Sequence, residues 1–320
     1  MCYNSKMKKE NAKMNISEHK KPSAICIGGA NVDRKIFLKE AVQIGTSNPA
    51  IEKIAYGGVA RNIAENLARL NVAVALLSIV GKDAAADGLI AHISRHIDIA
   101  PINRTDHYTT GAYSALIESS GEMYIGLAAM EICNLMTADW IYQNERYLED
   151  KDWLICDLNI MSDGVKALVD YAERRAKKLA IVGVSAPKMR HLPTEIGNVT
   201  IGIFNVDESQ AYFNTTQNSV AKLANMWLQR GFQKVVVTAG VKPFAYAEKG
   251  IAVNVMPVVP TEQIDDVTGA GDAFSAAVLY GLINGRSLRE AVQIGALNAT
   301  LNIQSADSVR TDLSEEMLKI

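Results

Sequence analysis

The chain has 320 residues, enough for one large hydrophobic core or one core plus a small appendage. Hydrophobic residues make up 48% and charged residues 21%, the balance of an ordinary globular protein. A net charge of −2 leaves no basic surplus for a long nucleic acid, and no apolar run reaches the roughly 18 residues that span a membrane.

Residues 1–22, "MCYNSKMKKENAKMNISEHKKP", are polar and lysine-rich, without the apolar centre of a signal peptide. They are expected to form a flexible tail, with one folded domain over 23–320. Four cysteines, Cys2, Cys26, Cys133 and Cys156, are scattered without metal spacing. Cys26 and Cys156 fall in apolar runs and read as buried thiols of a reducing compartment, so the protein is expected in the cytoplasm.

In chain order, "SAICIGGA" (23–30) predicts a buried strand ending in glycine, and "VARNIAENLARL" (59–70) a helix with Val59, Ile63, Leu67 and Leu70 on one face. "VAVALLSIVG" (72–81) predicts one strand and 84–97 a helix. The alternation then repeats: strand 152–158, helix 162–178, strand 179–185, strand 199–205, helix 219–231 and strand 234–240. Helices over 272–284 and 287–302 close the domain. Such alternation implies an α/β fold, with a mostly parallel sheet covered by helices on both faces.

Two segments break this rhythm. Residues 33–56 and 108–126 carry alternating pieces ("RKIFL", "IEKIAY", "GAYSALIE", "EMYIGLA") with no helix between them, and "SSGE" (119–122) has the chemistry of a hairpin turn. They are expected to form a small β-sheet lid. Its exposed face would suit pairing with a second subunit as a homodimer.

The stretch "DDVTGAGDAFSAAVLYG" (265–281) places a small-residue loop directly before an apolar helix. Glycines at a helix start can hold an anion on exposed N–H groups. A carboxylate at the same place, Asp272, then suggests phosphoryl transfer with that acid as the base; by itself it also fits a helix cap. Further pieces fall at the carboxyl ends of predicted strands, where open α/β sheets bind ligands. These are "GGANVD" (28–33), "GGVARNIAEN" (57–66), "NVDE" (205–208) and "VVVTAG" (235–240). "GGANVD" lacks G-x-G-x-x-G, which argues against a dinucleotide-dependent oxidoreductase.

Taken together, these motifs resemble the ribokinase (PfkB) family of sugar and nucleoside kinases over about residues 23–310. "DDVTGAGDAFSAAVL" matches the family's C-terminal signature, and "GGVARNIAENLARLN" matches the N-terminal one except at Asn71, where glycine or serine is usual. Within the family the likeness is strongest to the pseudouridine kinases, through "IGGAN-D", "SNP", "GGV-RNIA-NLA", "SGEM" and the asparagine of "ICDLN". Two departures stand out. Ala128 and Ala129 replace an Asn-Asp pair, and Pro243 replaces a glycine of the nucleotide loop.

The resemblance implies a ribokinase-like fold and ATP-dependent phosphorylation of the 5′-hydroxyl of pseudouridine, with ATP and Mg²⁺ and with K⁺ as a further cation. Asp272 would be the base, and Gly269, Ala270 and Gly271 would present N–H groups to the transferring phosphoryl. Asp33 and Asn62 would clamp the ribose hydroxyls, Gly57 and Gly58 would admit the sugar, and Asn31 and Asn159 are further substrate contacts. Asn205 and Glu208 would stand near Mg²⁺, with Glu208 acting through water. The same two residues also fit a strand-to-helix cap. Thr238 and Gly240 would line the nucleotide pocket, and Asp266 and Thr268 would help hold the monovalent cation through backbone oxygens. His92, His96, His107 and His191 have no ligand spacing and are expected at the surface or in the lid. The competing readings are a kinase of ribose, a ketose or an ordinary nucleoside, and an inactive sugar-binding regulator.

Overall fold

A computed structural model describes residues 22–319, so the expectation of a flexible tail over 1–22 falls almost wholly outside the described residues. The chain enters through β1 (Ser23–Ile27), then leaves the main sheet for β2 (Asn31–Leu38) and β3 (Ala50–Gly57). It returns as α1 (Val59–Arg69), β4 (Ala73–Leu77), β5 (Ile79–Gly81), α2 (Ala84–Ile93) and β6 (Asn103–Thr105). A second excursion forms β7 (Ala112–Ile117) and β8 (Met123–Ala129). Next come α3 (Ala138–Gln143), β9 (Trp153–Asp157), α4 (Ser162–Arg174) and β10 (Lys178–Val182). The rest is β11 (Ile201–Asn205), α5 (Val206–Phe213), α6 (Val220–Arg230), β12 (Lys234–Ala239), β13 (Lys242–Glu248), β14 (Asn254–Met256), α7 (Ala270–Ile283) and α8 (Leu288–Ile303).

The main sheet has eight strands in the order β14-β13-β12-β11-β10-β9-β1-β4. From β12 to β4 every pairing is parallel, and β13 and β14 add an antiparallel edge. Strands buried on both faces read as unbroken apolar runs, which is why "AICI" and "WLIC" show no alternation. Successive side chains point to opposite faces, and the core divides accordingly. Ile25, Ile27, Leu154 and Cys156 pack with Leu168 of α4 and Trp227 of α6. Ala24, Cys26, Trp153 and Ile155 pack with Ile63 of α1, Val278 of α7 and Val292 of α8. Burial raises the Cys26 and Cys156 thiols far above their usual range, as expected of inert core cysteines.

The segments that broke the rhythm form a separate four-stranded sheet in the order β3-β2-β7-β8. The pairing β2–β7 is parallel, while β2–β3 and β7–β8 are antiparallel. Gly121, at φ 90°, turns the β7–β8 connection. Strand β8 is exposed along its whole length.

Several expectations needed correction. The strand predicted over 72–81 is broken at Ser78, whose hydroxyl donates to the Gly28 carbonyl at 2.6 Å, and β5 turns away to pair with β6. Helix α2 stops at Ile93 rather than 97, and α4 stops at Arg174, with Ala176 at φ 49°. The β12–β13 hairpin turns at Gly240, φ 61°, while Pro243 lies within β13 beside a bulge. His191 is buried, not superficial, with Nδ1 3.0 Å from the Leu158 carbonyl. Asn71 adopts φ 57° just after α1. Asparagine tolerates that left-handed geometry, which explains how it stands where glycine is usual.

Candidate active site

Four strands of the main sheet, β1, β9, β11 and β12, end near the first turns of α1 and α7. Gly269 caps α7 at φ 82°, and a Cβ there would collide with the backbone of Ser308. Ala270, Gly271 and Asp272 therefore form the first turn of α7, whose N–H groups lack intrahelical acceptors. The Ala270 N–H leans on the Val267 carbonyl at 3.3 Å, and one side of Gly271 is open.

Asp272 is half-buried beside this turn. Its Oδ2 accepts from Asn62 Nδ2 at 2.6 Å. The loss of water around it outweighs that hydrogen bond and the Arg61 charge, so the carboxyl is pushed up to about 7. Asn62 itself is buried, and its Oδ1 has no hydrogen-bond partner. A buried acceptor without a donor is costly, so this atom is ready for a ligand hydroxyl.

On the second sheet's side, Asp33 accepts from Asn31 Nδ2 at 2.6 Å, and its carboxyl is raised chiefly by burial. A Cβ on Gly57 would collide with that carboxylate, and one on Gly58, at φ 99°, would collide with the Gly29 backbone. Both glycines are thus demanded by the protein's own packing. Asn159 is buried beside Gly29, where its backbone N–H and side-chain amide donate to Asp157 at 2.9 and 3.1 Å.

The sequence reading missed two residues here. Asp157, at the end of β9, also accepts from Gly29 N at 3.0 Å and Ala60 N at 2.9 Å, which joins β1, β9 and the start of α1. An acid closing the apolar run "WLICD" was the available signal. Arg61 is buried under the site. It donates to Glu65 at 2.7 Å, to the Gly57 carbonyl at 3.2 Å and to the Tyr56 carbonyl, and its charge acts on both Asp33 and Asp272. At i,i+4 spacing, Arg61 and Glu65 look like a surface pair, so the sequence carries little sign of this role.

Asn205 and Glu208 form a reciprocal cap on α5. Glu208 N donates to Asn205 Oδ1 and Asn205 N donates to Glu208 Oε2, both at 2.8 Å. Burial pushes the Glu208 carboxyl up to about 7. The cap coexists with an open side, because Asn205, Glu208, Thr238, Gly271 and Asp272 line one cavity of about 140 Å³. Thr238 and Gly271 also line a larger, mostly apolar cavity of about 480 Å³. Gly240, Phe244, Val259, Ala270 and Ile303 form other parts of its wall. Asp266 and Thr268 lie elsewhere: their side chains face Lys35 of the second sheet. Among the described residues no cluster of three or more acids, histidines or cysteines could hold a metal ion. No described helix is long and apolar enough to cross a membrane.

The arrangement is an apolar cavity leading past a helix N-terminus to a carboxylate, with the free Oδ1 of Asn62 beside it. The chain is similar in sequence and fold to several known kinases. A pseudouridine kinase of Escherichia coli K12 is 26% identical over 300 residues, covering 92% of this chain and 94% of that protein. A ribokinase of Haemophilus influenzae is 26% identical over 284 residues, covering 87% and 90%. A solved carbohydrate kinase from Agrobacterium tumefaciens superposes with a TM-score of 0.79 at 27% identity, covering 93% and 95%. Residues 21–314 match the model of the pfkB family carbohydrate kinases, and the chain belongs to that family.

Proposed function

We propose that this kinase transfers the γ-phosphoryl group of ATP to the 5′-hydroxyl of pseudouridine, with Asp272 as the general base. The observation that carries the reading is Asp272 itself. Its carboxyl is pushed up to about 7 and held by Asn62 where the two cavities approach each other. A base with that affinity for protons works near neutral pH.

The purine of ATP would lie in the apolar cavity beneath Gly240, with its phosphates directed to the first turn of α7. Asp33 and the free Asn62 Oδ1 would accept hydrogen bonds from the ribose hydroxyls and so aim the 5′-oxygen at phosphorus. As the new O–P bond forms and the bond to ADP breaks, the hydroxyl proton passes to Asp272. The N–H groups of Gly271 and its neighbours would stabilise charge on the equatorial oxygens. Asn205 Oδ1 and Glu208 Oε2 are spent on the cap, which leaves Glu208 Oε1 to meet Mg²⁺ through water. When bound, the ion neutralises phosphate charge.

The substrate assignment rests on the pseudouridine-kinase motifs and on the likeness to the E. coli enzyme. A second reading, a free-sugar kinase, is favoured by the equal identity to the H. influenzae ribokinase. The second sheet would close over the sugar, and its exposed strand β8 would meet a second copy of the chain. Comparing kcat/KM with ATP for pseudouridine, uridine, ribose and fructose tests the proposal. Pseudouridine is expected to lead, and uridine to follow within about tenfold, because Ala128 and Ala129 bring no polar side chain to β8. A clear win for a free sugar would overturn the nucleoside assignment while leaving the family intact.

A further inference from the structure

The second sheet is fastened to the glycine loop by a side chain that the reaction scheme does not use. Lys35 follows Asp33 by two residues on β2, so both project from the same face of the sheet. Asp33 meets Gly57, whereas Lys35 reaches the segment just before Gly269. There its ammonium pairs with Asp266 Oδ2 and donates to Thr268 Oγ1 at 3.1 Å. The pair is sheltered, with side chains 28% and 23% exposed.

The other side-chain oxygen of Asp266 and the Thr268 carbonyl are also engaged. Asp266 Oδ1 accepts from Thr268 N at 2.9 Å, and the Thr268 carbonyl accepts from Asn302 Nδ2 at 3.3 Å. Both carboxylate oxygens of Asp266, and both the hydroxyl and the carbonyl of Thr268, therefore already serve protein donors. The family resemblance implied a monovalent cation held at these two residues through backbone oxygens; here the Lys35 ammonium sits on their side-chain oxygens and already meets the Asp266 charge. The ammonium already supplies a single positive charge with three donors.

We infer that Lys35 takes the place of a monovalent cation beside the glycine loop, making activity independent of K⁺ and joining the second sheet to that loop. Lys35 is a positioning residue: through Asp266 and Thr268 it acts on the entry to α7. If the sheet lifts away, Asp266 loses its counter-charge in a sheltered place and Thr268 loses a donor. Seating the sheet and shaping the phosphate loop become one event. The inference rests on the reading of that loop as the phosphate site.

The test compares the native enzyme with Lys35→Met and Lys35→Arg, in KCl against tetramethylammonium chloride at constant ionic strength. Steady-state rates are read beside thermal unfolding with and without a non-hydrolysable ATP analogue. The native enzyme is expected to gain less than about twofold in kcat from K⁺, and Lys35→Met to lose about tenfold or more and recover severalfold in KCl. Lys35→Arg should stay insensitive to K⁺. The shift of the unfolding temperature by the analogue should depend on K⁺ in Lys35→Met alone. Strong K⁺ activation of the native enzyme, or Lys35→Met behaving like it in both readouts, would overturn the inference. The binding readout needs no acceptor, so it stands apart from any failure of the pseudouridine assignment.

Discussion

The two walls of the cleft are made by different means. The α7 wall is closed in by packing: Gly269 lies against the Ser308 backbone and Asp272 is tied to Asn62. The second sheet carries the other wall: its edge strands β3 and β8 are largely exposed, its inner strands β2 and β7 mostly half-buried, and a Cβ added at Gly121 in the β7–β8 turn would meet nothing within 4 Å. Backbone geometry that aims charge at a reacting phosphoryl tolerates little movement. A sheet that recognises a substrate can change side chains without disturbing a core. Chemistry should therefore be fragile on the first wall, and specificity adjustable on the second.

The largest expected effect tests the first wall. Asp272→Asn preserves shape but cannot take a proton, so kcat should fall at least about a hundredfold. Native kcat/KM should rise with pH through about 7, as the carboxylate forms, and level off above it. Stability moves the opposite way. Because the folded pKa is raised above the unfolded one, the native fold binds the proton more tightly and loses stability as pH climbs from about 4 to about 7. Asp272→Asn should accordingly raise the unfolding temperature by a few degrees at about pH 8, and the gain should shrink towards about pH 4. Near-native turnover in this variant would remove Asp272 from the mechanism.

A matched pair of glycines sharpens the contrast. Gly269→Ala and Gly121→Ala both place a side chain at positive φ, 82° and 90°. That strain alone costs about 1–2 kcal/mol. Gly269 adds a collision with backbone, so its variant should lose most activity and more stability, while Gly121→Ala should keep its turnover. Equal losses, read by denaturant unfolding and initial rates, would contradict the difference between the walls.

The smallest effect is expected on the second wall. Installing Ala128→Asn together with Ala129→Asp should raise the preference for pseudouridine over uridine severalfold, with kcat changed by less than about threefold. Ala128 and Ala129 pair with Tyr113 and Ala112 across the β7–β8 ladder, on opposite faces of the strand, and both are exposed. Loss of folding, or an unchanged ratio, would mean that the base is read elsewhere.

Much of this architecture is legible in the sequence alone. The apolar runs of β1 and β9 and the helical spacing of α1 and α7 are local properties, so strand–helix alternation could be read from them. The glycine loop before Asp272 was equally local, and its likeness to a family signature supplied its meaning. "NVDE" disclosed the cap on α5, because Asn205 and Glu208 are three residues apart. The break at Ser78 was not legible: nothing between residues 72 and 81 announces a bond to the Gly28 carbonyl.

By itself, then, the sequence determined the order of elements, the family and, around Asp272, only the neighbours that are contiguous along the chain. Tertiary structure decided which distant atoms meet. Asn62 reaches Asp272 across 210 positions, Asp157 gathers Gly29 and Ala60, and Lys35 closes on Asp266 across 231. Periodicity and turn chemistry record what a residue does to its near neighbours. A carboxyl raised to about 7, an acceptor left free and a lysine in a cation's place arise only when remote segments exclude water together.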